Sequence, residues 1–164
     1  MNSNTLKVNS PDYDSGSGLG TQLGISYRIG NFLYLQPGIR YSWSTYDFTI
    51  NQPLPNDGHD NFKVHRFGIP IQAGINVIPV ANGIINLRFF AGVEPAFAID
   101  VSDNDFGYTK DDINATLVYG TLGAGLDLSL FLFEIGYSEG FGDVLKNDIK
   151  SKPGEAFLNV GIRF

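Results

Sequence analysis

The chain has 164 residues, 43% of them apolar and 17% charged, and a formal net charge of -6. That length predicts one domain over residues 1–164, and the apolar share excludes disorder as the default. An acidic balance without a basic cluster excludes nucleic-acid binding, and the absence of cysteine excludes disulfides, thiol catalysis and Cys-based zinc sites.

No apolar run reaches the roughly 18 residues of a spanning helix. Met1 to Asn4 lacks the charged and apolar pattern of a signal peptide, so an exported protein is expected here in a mature or recombinant form. What recurs instead is alternation, the period of strands.

The first stretch is a short, weak strand over about residues 4–9, with Thr5 to Asn9 its candidate residues. Leu19, Thr21, Leu23, Ile25, Tyr27 and Ile29 then share one face, and a Gly30-Asn31 turn of the tight antiparallel kind follows. Leu33, Leu35, Pro37, Ile39, Tyr41 and Trp43 form the next apolar face. Phe67 to Val77 alternate against Arg66, Gly68, Pro70, Gln72 and Gly74, and Ile85 to Phe97 against Asn86, Arg88, Phe90, Gly92 and Glu94. Val118, Leu122, Ala124 and Leu126 form a fifth face, and Phe131, Phe133, Ile135 and Tyr137 a sixth. The chain closes on Ala156, Leu158, Val160, Ile162 and Phe164, with Phe157 breaking the rule. Short connections near 30–31, 78–83 and 128–130 alternate with long polar ones near 10–18, 46–62, 101–113 and 143–153. This pattern predicts an all-β fold, an eight-stranded antiparallel up-and-down transmembrane β-barrel.

The charges decide which face points inward. Arg28, Arg40, Arg66, Arg88 and Arg163, every arginine of the chain, fall on the polar face with Glu94, Asp127, Glu134 and Glu155. A soluble lipocalin-like binding barrel would reverse the faces. Three details favour lipid outside. The polar face is rich in glycine, as a crowded interior needs. It uses Arg and not Lys, and Arg suits buried carboxylate pairs. Aromatics gather at the ends of the apolar face, with Tyr41, Trp43, Phe67, Phe97 and Tyr137 toward the long loops and Phe131 and Phe164 toward the short turns. That is the girdle pattern.

Eight strands leave room only for side chains. With nine charged residues plus Gln22, Gln36, Gln72, Tyr34, Phe90 and Tyr119 inside, the lumen is expected to be plugged. Heights on neighbouring strands place Arg88 near Asp127 and Arg163 near Glu134. Pro37, Pro70 and Pro95 each remove a ladder donor and predict bulges or bends.

Chemistry candidates are weak. His59, in a long loop, has Asp57 and Asp60 beside it and Ser42 and Ser44 on the preceding strand, and His65 lies at a strand start, but no catalytic spacing marks them as a site. The acidic stretch Asp103 to Asp105 with Asp111 and Asp112 lacks the order of a calcium loop. The glycine pairs at 18–20 and 123–125 lie in strands without a following helix, so they are not nucleotide loops. No enzyme activity, cofactor or metal is expected.

The terminal strand ending on Phe164 resembles the C-terminal sorting signal of bacterial outer-membrane barrels. Phe67 to Ile71, Phe90 to Pro95, Gly123 to Asp127, Phe133 to Phe141 and Val160 to Phe164 together resemble small outer-membrane barrels of the Bacteroidetes type, the porin-like or PorT-like proteins, over about residues 18–164. The weak first strand departs from that pattern. The resemblance implies a Gram-negative outer-membrane location, with periplasmic termini and extracellular long loops. Lipid and other outer-membrane proteins are its implied partners, in a structural role or as an accessory subunit of a secretion or assembly complex. A narrow porin-like channel is the other implied reading.

Overall fold

The computed structural model describes residues 2–8, 13–14, 17–50, 59–80, 85–101, 115–142 and 151–163. Among them there is no helix. Eight staves run in sequence: β1 (Asn2–Val8), β2 (Ser17–Ser26, continued by Ile29–Gly30), β3 (Leu33–Ile50), β4 (His59–Gly68, continued by Ile71–Val80), β5 (Ile85–Val101), β6 (Thr116–Leu128), β7 (Phe131–Gly140) and β8 (Ser151–Ile162). Each pairs antiparallel with the next. The ring closes where β1 pairs with β8, Asn2 opposite Phe157 through Val8 opposite Ser151. Closure pairs every stave on both sides, which a lipid environment demands of a sheet.

Two turns show how the sequence sets the hairpins. Gly30 has a φ of 109°, and the Leu33 carbonyl crowds the place of a side chain there, so the β2–β3 turn needs glycine. Ser129, at φ 54°, makes the tight turn from β6 to β7. The opposite rim carries the longer connections. There the staves reach further than the expected loop bounds. Residues 46–50 and 59–62, expected as loop, continue the β3–β4 ladder up to Thr49 opposite His59. Tyr13–Asp14 pairs with Thr49 and Ile50 in the same extension. His59 is therefore a ladder residue and not a loop residue. Residues 59–61 are polar and read as loop, whereas Tyr46, Phe48 and Ile50 alternate with Asp47 and Thr49 as a strand does. The first stave likewise begins at Asn2, ahead of the residues expected to form it.

The prolines act differently from expectation. The ladder is interrupted at residues 27–28 and 69–70, and the carbonyls of Pro37, Pro70 and Pro95 accept from the N–H groups of Tyr27, Gly38 and Ile69 at 2.9, 2.9 and 3.0 Å. The register shifts fall elsewhere, between His65 and Arg66 and between Asn76 and Ile78. A carbonyl still serves the neighbouring stave where the proline nitrogen cannot, so a missing donor opens a gap in the ladder without adding a residue.

Side chains follow the stave parity. Leu23, Ile25, Leu33, Ile39, Leu122, Ile135, Leu158 and Val160 stand exposed on the outer wall, while Arg66, Arg88, Glu94, Asp127 and Glu134 are buried inside. This is the reverse of a lipocalin-like barrel. Phe157, the exception to the alternation, sits on the inner parity and is buried with Tyr34 and Phe90.

Candidate functional site

The lumen is filled from its short-turn end upward. At that end Arg88 on β5 is fully buried. Its Nε donates to Asp127 Oδ1 on β6 at 3.0 Å and its Nη2 to Glu134 Oε1 on β7 at 2.7 Å. The space it occupies is made by Gly125, where a Cβ would lie 2.6 Å from the guanidinium carbon. Arg28, in the interrupted part of β2, reaches Asp127 Oδ2 at 2.7 Å. In a ring of eight staves, β2 and β6 face each other, so this ion pair bridges opposite walls. Arg28 also donates through Nε to Gln36 at 2.9 Å and lies 4.9 Å from the centre of the Tyr34 ring.

The network continues sideways. Asn159 on β8 donates to Glu134 Oε2 at 2.9 Å, and Gln22 on β2 donates to Asn159 at 2.5 Å. Asn86 joins Asn76 at 2.9 Å below Arg88. Fixing charges this way satisfies their polar atoms where water is scarce, the condition under which buried ion pairs are tolerated.

Above this layer the Tyr34, Phe90 and Phe157 rings are buried side by side. Phe157 covers Gly136, where a Cβ would lie 2.5 Å from the ring. Higher still, Arg40 on β3 meets Glu94 on β5 at 2.9 Å, with the Glu94 carboxylate lying over Gly68 of the stave between them. Thr121 and Ser138 share a hydroxyl hydrogen bond of 2.9 Å. A cavity of about 10 Å³ remains here, lined by Arg40, Arg66, Glu94, Tyr119, Ser138 and Glu155 among others, which is room for about one water. No group of His, Asp and Glu among the described residues could hold a metal ion.

Each charged residue singled out in the sequence can thus be placed. Arg28, Arg88, Asp127 and Glu134 form the lower network, Arg40 and Glu94 the upper pair, and Arg66 and Glu155 line the cavity. Arg163 departs from the expected pairing. It meets Asp127 Oδ2 at 3.7 Å and the Ser129 carbonyl at 3.3 Å, not Glu134. The register explains it, because Glu134 stands level with Asn159, four residues further up β8. Asn159, Asn86 and Phe157 were missed by charge alone. Their parity on the polar face was the available signal.

On the outer wall Tyr41, Phe67 and Phe97 form one cross-strand row over β3, β4 and β5. Trp43 lies one step higher, with its ring 5.9 Å from that of Tyr41. Tyr137 stands exposed on β7, opposite Leu122 and Ala156. Phe131 stands exposed at the short-turn rim. Phe164 lies outside the described residues. His65 also faces outward, its Nδ1 within 2.8 Å of the Tyr41 hydroxyl. His59 has no described side chain.

Residues 1–146 match the family described as the outer membrane protein beta-barrel domain. Two solved structures are similar over nearly the whole chain. Neisserial surface protein A (NspA) shares 15% identity at a TM-score of 0.59, covering 99% of this chain and 94% of its own. Ail, the attachment invasion locus protein of Yersinia pestis, shares 14% identity at a TM-score of 0.50, covering 99% and 93%. No curated protein matches the chain.

Proposed function

Since this chain belongs to the outer membrane protein beta-barrel domain family and so resides in the bacterial outer membrane, we propose that it is a closed, non-enzymatic barrel whose role is to anchor and present its outer rim to a partner. The observation that carries this reading is the lower lumen network. Arg28 bridges opposite walls to Asp127, Arg88 joins that carboxylate to Glu134, and Tyr34, Phe90 and Phe157 stack above. A small solute meets paired charges first and a packed aromatic layer next. Neither layer offers a continuous polar path, and neither presents a nucleophile beside a base.

The whole chain acts as a single barrel domain in this reading, with long connections outside and termini on the periplasmic side. It is a Bacteroidetes-type barrel serving as an accessory subunit of a secretion or assembly complex. The names of its two structural neighbours, a surface protein and an attachment protein, support a surface-facing role. Single-channel recording of the full chain in planar bilayers tests the closed lumen: no steady large openings are expected, and a stable large conductance overturns the proposal. Cross-linking in intact outer membranes tests the accessory role, with a discrete adduct to another outer-membrane protein expected and monomer alone overturning it.

A further inference from the structure

The outer wall carries a polar cluster set into its aromatic row, on β3, β4 and β5. From Val77 up to Phe67 the outward residues of β4 are all apolar, and the next two outward positions are His65 and Lys63. His65 stands opposite Trp43 on β3 and opposite Asp100 on β5. Asp100 reaches this face through the register shift at His65 and Arg66, which leaves Ile99 as the extra residue. Glu94, Ala96 and Ala98 are buried on the inner face, whereas Ile99 and Asp100 are both exposed. Without the shift Asp100 would follow that parity into the lumen. A bulge re-aims a side chain in this way, often beside a binding site.

The ring of His65 is held. Its Nδ1 lies 2.8 Å from the Tyr41 hydroxyl, and its ring centre lies 6.1 Å from that of Tyr41, which in turn lies 5.9 Å from Trp43. In the tautomer whose Nδ1 accepts from the Tyr41 hydroxyl, Nε2 carries the ring proton and is a donor away from Tyr41. Lys63 is exposed on the same face, one outward position higher. The cluster thus combines two nitrogen donors, one carboxylate acceptor and a surface of aromatic rings, at the level where the apolar band ends.

The geometry points to a binding site on the outer wall for a phosphorylated glycolipid of the outer leaflet, with His65 and Lys63 on a phosphate, Asp100 on sugar hydroxyls, and Trp43 and Tyr41 against the sugar ring. Each part of that headgroup has a matching group. A phosphate takes nitrogen donors and charge. A carboxylate repels phosphate, but it accepts from hydroxyls, which a simple phosphodiester lipid headgroup does not supply in a ring. Aromatic side chains at a membrane interface keep an apolar face toward lipid while a polar edge meets the headgroups. The inference rests on the outer-membrane location and on the proposed orientation with the long connections outside, and it is independent of whether the lumen is closed.

Trp43 is the single tryptophan of the chain, so its fluorescence reports on this cluster alone. The full chain is refolded into phosphatidylcholine nanodiscs and titrated with a bisphosphorylated glycolipid, the same glycolipid without phosphates, and phosphatidylglycerol. A saturable change in Trp43 emission is expected with the phosphorylated glycolipid only. His65→Ala and Lys63→Ala are each expected to weaken it about tenfold, the size of one charge-assisted hydrogen bond. Heat-dependent gel mobility checks that each variant is folded, and Lys63→Ala decides the matter if His65→Ala is not. Unchanged affinity in the folded variants overturns the site, as does an equal response to phosphatidylglycerol, which would reduce it to charge attraction. A bilayer conductance measurement is unaffected by either result.

Discussion

Glu134 and Ile135 are neighbours in the chain and live in opposite surroundings. Glu134 is 7% exposed and accepts from Arg88 and Asn159, while Ile135 is 64% exposed on the outer wall. The same contrast repeats along every stave with described side chains. Inside, specificity comes from matched polar partners, as between Arg88, Asp127, Glu134 and Asn159. Outside, a mostly apolar surface answers to its solvent and is interrupted by the polar cluster around His65.

That contrast can be broken from either side. The largest effect is expected from Arg88→Leu, which leaves Asp127 and Glu134 without the cation between them. Breaking one partner of a buried charge network costs about 3–5 kcal/mol, and denaturant unfolding of the refolded protein in lipid vesicles measures it. Ile135→Arg carries the inner chemistry onto the outer face near the middle of the wall, at about 2–4 kcal/mol for such a position. The same unfolding assay reads it, and an equal loss in a zwitterionic detergent micelle would show that lipid is not its cause. Gly125→Val is next, at about 1–3 kcal/mol, because the new side chain must displace the Arg88 guanidinium. It is expected to lower stability without altering the outer wall, so reconstitution yield stays level while the unfolding midpoint falls. Arg163→Ala is the smallest. Arg163 is 49% exposed at its side chain and 3.7 Å from Asp127, and solvent-exposed pairs contribute less than about 1 kcal/mol.

Much of this was legible from the order of residue types. Period two, the alternation of short and long connections and the confinement of arginine to one face were enough to set staves β2 to β8 and the inside-out arrangement. Glycine on the inner face was legible as crowding, and Gly125 under Arg88 and Gly136 under Phe157 show which crowding it was. What could not be read was anything that depends on register across several staves. Arg163 and Glu134 share a polar face, yet the ladder sets them four residues apart in height. Asp100 sits on the outer wall because of a shift that no local pattern marks. The extension of β3 past residue 46 does keep the period of two, since Tyr46, Phe48 and Ile50 alternate with Asp47 and Thr49, whereas its partner residues 59–61 are polar and carry no such mark. His65 follows no catalytic spacing in the sequence, and its described partner, the Tyr41 hydroxyl on the outside, depends on a pairing across strands.

The ladder between β1 and β8 is the long-range seam of the barrel. It joins Asn2 to Phe157 and Val8 to Ser151, so its contacts link nearly opposite ends of the chain. Every other stave pairs with its neighbour in sequence and can zip up locally. This seam can form only after the other staves are in place, and long-range pairing of that kind is slow to nucleate. Until it forms, β1 and β8 each present a row of unpaired backbone groups, the state in which a chain of this kind is most exposed to mispairing with a second copy. The seam is thus the joint expected to close last, and the two raw edges of the half-built molecule stay open until it does.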